Sequence, residues 1–440
     1  MDERLEMGCE WWGPSGGAGD VFDSCRGAIG IRVGEVFLTH LEDSWGNTVR
    51  NRVNASAYTL AAWLAGNWWR LRWEPETRSS RDDMDWRMSH SMASAGDGFC
   101  WPSIVFASDG DSIAISSRAT RGRVLGPVRY LAEVHARVSA MEFERAVDAF
   151  LTLVLSRLHA EGHGRSELSE IWGQVGMERR DPDLAVRRRL EALCGFDAGE
   201  APESLVDAMV GDRGGLGRAA MEEVAAEGRH STGALLDSIH GLAETADGPG
   251  HGGFRGIMPR LKTRPEIPPG LRPWQTAARF ARSARGEWGL GEGPLTSHAM
   301  ADLLHTSPAL FDGGTRGTTP MALGLRDVGG GPVTLYLNRS HPTSRRFAVG
   351  RLIGDVLLQP GDGRLIPATS ARTARQQFQR AFAQELLCPF NALIQRVPSG
   401  QPDEDDIADA AAYFGVSTRL VEATLVNRGE LDREALDWTR

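Results

Sequence analysis

The sequence predicts an α+β protein with more than one domain. Three observations carry this. The 440 residues exceed what a single hydrophobic core usually organises. Nine of the 13 tryptophans fall between Trp11 and Trp101, which gives the first part of the chain a composition of its own. Strand-like runs gather in that part and recur near residues 331–338, while helical periodicity dominates between them.

Residues 1–125 are expected to form a Trp-rich α+β domain. Gly34 to Asp43 reads as a strand, and Ala55 to Trp73 as an amphipathic helix with Tyr58, Ala62 and Leu64/Ala65 near helical spacing. Trp101 to Ser108 and Asp111 to Ala119 read as two strands joined at Asp109-Gly110, a strong hairpin dipeptide. Trp68, Trp69 and Trp73 with Arg70 and Arg72 have the chemistry of a stacking platform. Core packing is the preferred reading, because tryptophan is very effective core filler.

Residues 126–245 are expected to be a helical connector or interaction region. Its helical patterns are Tyr130 to Gly162, Ser166 to Asp181, a stretch with Leu184, Leu190 and Leu193 on one face, and Glu203 to Glu227. Asp181 is placed to cap the third of these. Gly211, Gly214, Gly215 and Gly217 follow no buried strand and precede no Walker lysine, so they do not read as a phosphate cradle. The Gly/Pro-dense stretch 246–270 reads as a linker. A last domain over 271–440 opens with a helix from Pro273 to Leu290, followed by a strand from Gly331 to Asn338.

Composition narrows the function. A net charge of −9 opposes broad attraction to nucleic acid, so a nucleic-acid partner is not expected. No apolar run approaches the length of a membrane span, and the acidic start MDERLEMGCEWWGP is unlike a signal peptide. The expected location is the cytoplasm, with Cys9, Cys25, Cys100, Cys194 and Cys388 reduced. Lys262 is the one lysine among 49 basic residues, an arginine bias typical of a bacterium with a GC-rich genome.

Three segments in order give a more specific signal: RRFAVGRLIGDVLL (Arg345 to Leu358), RQQFQRAFAQELLCP (Arg375 to Pro389) and IADAAAYFGVSTRLVEATLVNRGEL (Ile407 to Leu431). Together they resemble the ImmA/IrrE family of metallopeptidases, whose members typically carry RRFTLAHELGH, then ExxANxFAAxLLMP, then a helical tail like LAxxFxVSxxAVxxRL. The resemblance implies a zincin-like, mainly helical fold for 271–440. It also accounts for the FGVSTRLVEATL segment, which would otherwise read as a DNA-binding helix; Asp403 to Asp406 would repel phosphate there. The His-Glu-x-x-His core of the family falls on Arg351, Leu352, Ile353, Gly354 and Asp355, and its third ligand falls on Gln376.

Those replacements argue against catalysis. Two histidines at i and i+4 offer lone pairs to one zinc ion while the glutamate activates water. Arg351 is a cation without a lone pair, and Leu352 cannot take a proton. Asp355 and Gln376 alone make a poor zinc site. The simplest expectation is an i,i+4 ion pair between Arg351 and Asp355 across the old metal position. His159 and His163 are four apart, but Gly162 and Gly164 signal a helix end there.

The expected function is therefore that of a non-catalytic, metallopeptidase-like protein. It would bind a protein partner as a regulator or sensor, in the stress-response or phage-defence setting that the resemblance implies. No metal or cofactor is expected. A peptide would dock by strand addition along Val333, Leu335 and Leu337. Two alternatives remain open. One is an enzyme with its site in the N-terminal domain, for which His90, Asp97 and Trp101 are the candidates and the C-terminal domain a regulator. The other is a zinc peptidase with atypical ligands.

Overall fold

The computed structural model describes residues 4–13, 19–77, 83–96, 98, 100–120, 128–212, 214–245, 253–312, 319–361, 363–398 and 402–431. The chain forms two compact units. Unit 1 comprises Met1–Val210, Ala225–His230 and Ala371–Thr373, and unit 2 comprises Gly211–Val224, Ser231–Ser370 and Ala374–Arg440. Both combine small antiparallel sheets with many helices, as an α+β chain should.

In unit 1, β1 (Leu5–Trp11) runs antiparallel to β2 (Arg26–Val33), with Leu5 opposite Val33 and Trp11 opposite Gly27. Helix α1 (Val21–Ser24) lies between them in sequence. The expected strand from Gly34 to Asp43 is split. β3 (Val36–Phe37) pairs with β2, whereas β4 (Leu41–Asp43) joins β5 (Thr48–Arg50) in a different sheet. Thr39 fixes the break: its buried hydroxyl donates to Asn51 O at 2.7 Å and accepts from Ile31 N at 3.1 Å.

The expected long helix after β6 (Val53–Ser56) is also divided, into α2 (Ala57–Gly66) and α3 (Trp68–Trp73). Asn67 stands at the joint, with its side chain donating to Trp63 O at 2.8 Å. α4 (Met84–His90) follows. β7 (Ile104–Ser108) and β8 (Ser112–Ser117) form the expected hairpin, with Gly110 at φ +96°.

β9 (Val128–Tyr130) pairs with β4, and β10 (Val134–Ser139) pairs with β8. Residues 134–139 were expected to be helical. Val134, Ala136 and Val138 recur with strand period instead. The helix starts only where Ser139 accepts from Glu142 N and caps α5 (Ala140–Ala160). α6 (Glu167–Arg180), α7 (Pro182–Leu193) and α8 (Glu203–Val210) follow, with Asp181 capping α7 as expected.

One core joins these parts. Ile29, Leu60, Leu64 and Phe106 belong to the same buried cluster as Phe143, Phe150, Val154 and Leu168. The expected boundary near 125 therefore does not divide the core: α5 and α6 complete the Trp-rich region rather than connecting it to something else. Trp68 and Trp69 are buried and meet edge to face at 4.8 Å, and Trp69 Nε1 donates to Glu178 Oε2 at 2.8 Å. They are core residues.

α9 (Arg218–Gly228) and α10 (Thr232–Thr245) precede the sheet of unit 2. That sheet begins inside the expected linker, with β11 (Phe254–Gly256). Gly253 and Gly256 serve close packing: a Cβ on Gly256 would lie 2.8 Å from Leu304 O, and one on Gly253 would lie 2.5 Å from Thr334 Cγ2. α11 (Pro273–Glu287) and α12 (Ser297–Leu303) come next, then β12 (Ala322–Arg326), β13 (Val333–Tyr336), α13 (Pro342–Leu358), β14 (Leu365–Ala368) and α14 (Ala374–Leu387).

The sheet order is β11-β13-β12-β14, antiparallel throughout. α15 (Phe390–Ile394), α16 (Glu404–Phe414) and α17 (Thr418–Arg428) close the unit. Phe280, Leu335, Val349, Leu352, Ile353, Phe378, Phe382, Phe414 and Val421 share its core. Arg346, on α13, donates to the carbonyls of Phe414 and Gly415 and so caps the C-terminus of α16 with a cation.

Candidate functional site

Arg351 to Asp355, the segment whose sequence resembles a zinc motif, lie in the middle and last turns of α13, facing α14 and β14. Five side chains meet there. Arg375, one turn before Gln379 on α14, forms a two-pronged bond with Asp355: Nε donates to Oδ1 and Nη2 to Oδ2, each at 2.7 Å. Gln379 Nε2 donates to the same Asp355 Oδ1 at 2.8 Å and to Pro367 O at 2.9 Å. Gln376 Oε1 accepts from Thr369 N at 3.0 Å and from Arg351, whose guanidinium also reaches Thr369 O. Asp355 is 2% exposed, and Gln376 and Gln379 are fully buried.

The expected Arg351–Asp355 ion pair does not form. Both residues project from α13 at i and i+4, yet Asp355 takes the fork of Arg375 from the neighbouring helix and Arg351 turns to Gln376 and β14. A bidentate guanidinium from across a helix pair makes two well-aligned charge-assisted bonds. The same-helix pair in Arg-before-Asp order would add only ~0.3–0.5 kcal/mol.

A zinc ion does not fit this centre. Arg351, a permanent cation, stands where the resemblance places a ligand. Asp355 has both oxygens engaged by Arg375, and the carbonyl oxygen of Gln376 already accepts two hydrogen bonds. Leu352, at the position of the general base, is fully buried in the core of the unit. The same side chains occupy the outer edge of β14, where Pro367 O, Thr369 N and Thr369 O are all engaged. Upstream on that edge, the N–H groups of Arg364 and Leu365 donate to Gly215 O and Leu216 O.

The candidate docking strand is corrected by the topology. β13 is an interior strand with β11 on one side and β12 on the other. Val333, Leu335 and Leu337 are buried core residues. Strand addition needs a free edge, and β13 has none over the residues that β11 covers, 333–335.

The N-terminal candidates do not assemble an open site. His90 is 0% exposed, stacked on Trp86 at 4.2 Å with an interplanar angle of 5°. Its Nδ1 lies 2.9 Å from Trp86 O and its Nε2 lies 3.8 Å from Glu74 Oε2. Burial holds its pKa below the ordinary value, although the nearby Glu74 charge pulls the other way. Trp101 is buried as well, and Asp97 lies outside the described residues.

Glu74 belongs to a buried ion network with Arg70 at 2.7 Å and Arg229 at 3.0 Å, extended by Asp85 and Asp83. Sequence reading missed this network because its bonded partners Glu74 and Arg229 lie 155 positions apart. Arg375 and Gln379 were legible in principle: RQQFQ places them one turn apart on one helix face.

The remaining candidates are accounted for locally. α5 ends at Ala160, Gly162 takes φ +86°, and His163 Nε2 lies 3.1 Å from Gly19 O. Among the described residues, no group of three or more His, Cys, Asp or Glu is placed to hold a metal ion. Burial pushes the thiols of Cys9, Cys25 and Cys388 up to about 12, which makes them poor nucleophiles at neutral pH. No helix among the described residues is long and apolar enough to cross a membrane.

No family model, no curated protein and no solved structure matches this chain.

Proposed function

We propose that the chain is a non-catalytic, metallopeptidase-like protein that binds a protein partner as a regulator or sensor, in a bacterial stress-response or phage-defence setting. One observation carries the non-catalytic part. Each side chain at a former ligand position is committed to a protein partner, Arg351 to Gln376 and Asp355 to Arg375 and Gln379. A site awaiting a metal leaves convergent lone pairs unshared, and here they are used. The partner-binding part rests on the sequence resemblance, which supplies the setting but no partner identity.

Native mass spectrometry of the protein isolated from its host, with parallel metal analysis, tests both parts. The expected result is an added protein mass and no stoichiometric zinc. Zinc at one equivalent that resists dialysis, with chelator-sensitive peptidase activity, would overturn the reading.

A further inference from the structure

Unit 2 also contains a cleft of about 930 Å³, beyond the last turn of α13 and distinct from the buried polar centre. Four arginines line it: Arg260, Arg264, Arg326 and Arg364. The one lining carboxylate among the described residues, Asp327, is held by Arg255. Among the described residues, cations outnumber carboxylates in this lining, in a chain of net charge −9.

Several of these arginines donate to backbone carbonyls, which fix the direction of a guanidinium. Arg264 Nη2 donates to Leu358 O at 2.8 Å, Arg326 Nη1 to Gly363 O at 3.2 Å, and Arg364 Nε to Arg326 O at 3.0 Å. Leu261, Val356 and Leu357 supply an apolar wall beside them.

We propose that this cleft binds a small phosphorylated ligand with an apolar or aromatic body, of the nucleotide class. The volume is that of a small-molecule site, ~300–1,000 Å³. Fixed guanidinium groups suit phosphate oxygens, which accept two parallel N–H bonds. The apolar wall gives a non-phosphate portion somewhere dry to rest. A nucleic-acid strand fits poorly, because it would bring many phosphates to a chain that is acidic overall. The choice of arginine over lysine carries no weight in so arginine-rich a chain; the number of cations in one concavity does. This inference does not depend on the pseudoenzyme reading.

The test is isothermal titration of the full chain with ATP, ADP, inorganic pyrophosphate, adenosine and sulfate. ATP or ADP should bind at micromolar concentration, pyrophosphate more weakly, adenosine and sulfate not measurably at millimolar concentration. Arg260→Glu, at an exposed position, should weaken nucleotide binding at least tenfold, and Arg264→Glu should do the same. Circular dichroism and thermal unfolding of both variants check that they fold. Three results would overturn the proposal: no binding of any phosphate compound, equal binding of sulfate, or nucleotide binding unchanged in a folded Arg260→Glu protein. Binding of a polyglutamate peptide in place of the phosphate compounds would count against it equally.

Discussion

At the scale of single residues, the polar centre behind α13 changes what a mutation there can reveal. Asp355 is 2% exposed and neutralises a guanidinium whose side chain is 8% exposed. Removing the carboxylate takes two charge-assisted hydrogen bonds from a buried guanidinium, and breaking such a pair costs ~3–5 kcal/mol. Asp355→Ala should therefore lower the midpoint of chemical denaturation strongly, and any loss of function would follow from loss of fold. An unfolding free energy within ~0.5 kcal/mol of the parent, the usual range for surface substitutions, would show that the Asp355–Arg375 bonds contribute little to stability. The same logic governs His90. Substituting it empties a fully buried position stacked on Trp86, so an effect on activity there says nothing of catalysis unless stability is measured beside it.

At the scale of elements, α13 and α14 approach closely because glycine faces the partner helix. A Cβ built on Gly354 would lie 2.7 Å from Phe382 Cδ1 and 3.0 Å from its Cβ, and Phe382 is fully buried. Gly354→Ala would gain ~1 kcal/mol of helix propensity but overpack the seam by ~1–3 kcal/mol. The clash is with a core ring that has nowhere to go, so the net effect should be destabilising. Gly173, exposed within α6 and with nothing within 4 Å of its would-be Cβ, is the control: Gly173→Ala should stabilise by ~0.5–1 kcal/mol. Thermal unfolding of the two variants decides the matter. If both shift in the same direction, close packing is not what sets the α13–α14 distance.

The same elements show where sequence was sufficient. Asp109-Gly110 specified its hairpin because turn chemistry is local to two residues, and Asp181 specified a helix start for the same reason. Asn67 interrupts a helix that Trp68 to Trp73 immediately resume, so apolar spacing alone hid the break. β11 was concealed by the glycine-rich sequence around it, in which Gly253 and Gly256 pack closely. The Asp355–Arg375 bond joins two helices across 20 residues, and only the packing of α13 on α14 reveals it. The places of Arg351, Asp355 and Gln376 along the chain were legible; the partners they take were not.

At the scale of the whole molecule, the acidic groups with shifted pKa among the described residues divide unevenly between the two units, and this predicts which unit fails first in acid. In unit 1, burial alone would raise Asp83 and Asp85, but Arg229 and Arg70 respectively outweigh it and hold both below the ordinary carboxylate value of 3.8. Hydrogen bonds from Gly46 and Trp45 lower Asp43, and Arg145 lowers Glu142. Asp111 runs the other way, raised by burial. A carboxylate depressed in the folded state contributes stability that is present above its ordinary pKa and lost as pH falls through the folded value. His90, held neutral by burial below its ordinary 6.5, adds to this: the unfolded chain takes up that proton first, so stability falls as pH drops below about 6.5. In unit 2, Glu385 is raised by burial despite Arg428 and Arg282, and acid favours its folded form. Unit 1 should therefore unfold at the higher pH. Ten of the 13 tryptophans belong to it, so fluorescence reports chiefly on that unit. On acid titration, tryptophan emission should shift to the red, and pulse hydrogen exchange should lose protection in β2 and α5, before α13 and α14 exchange. Earlier or simultaneous loss in α13 and α14 would mean that the acid limit is set by groups other than these carboxylates and His90.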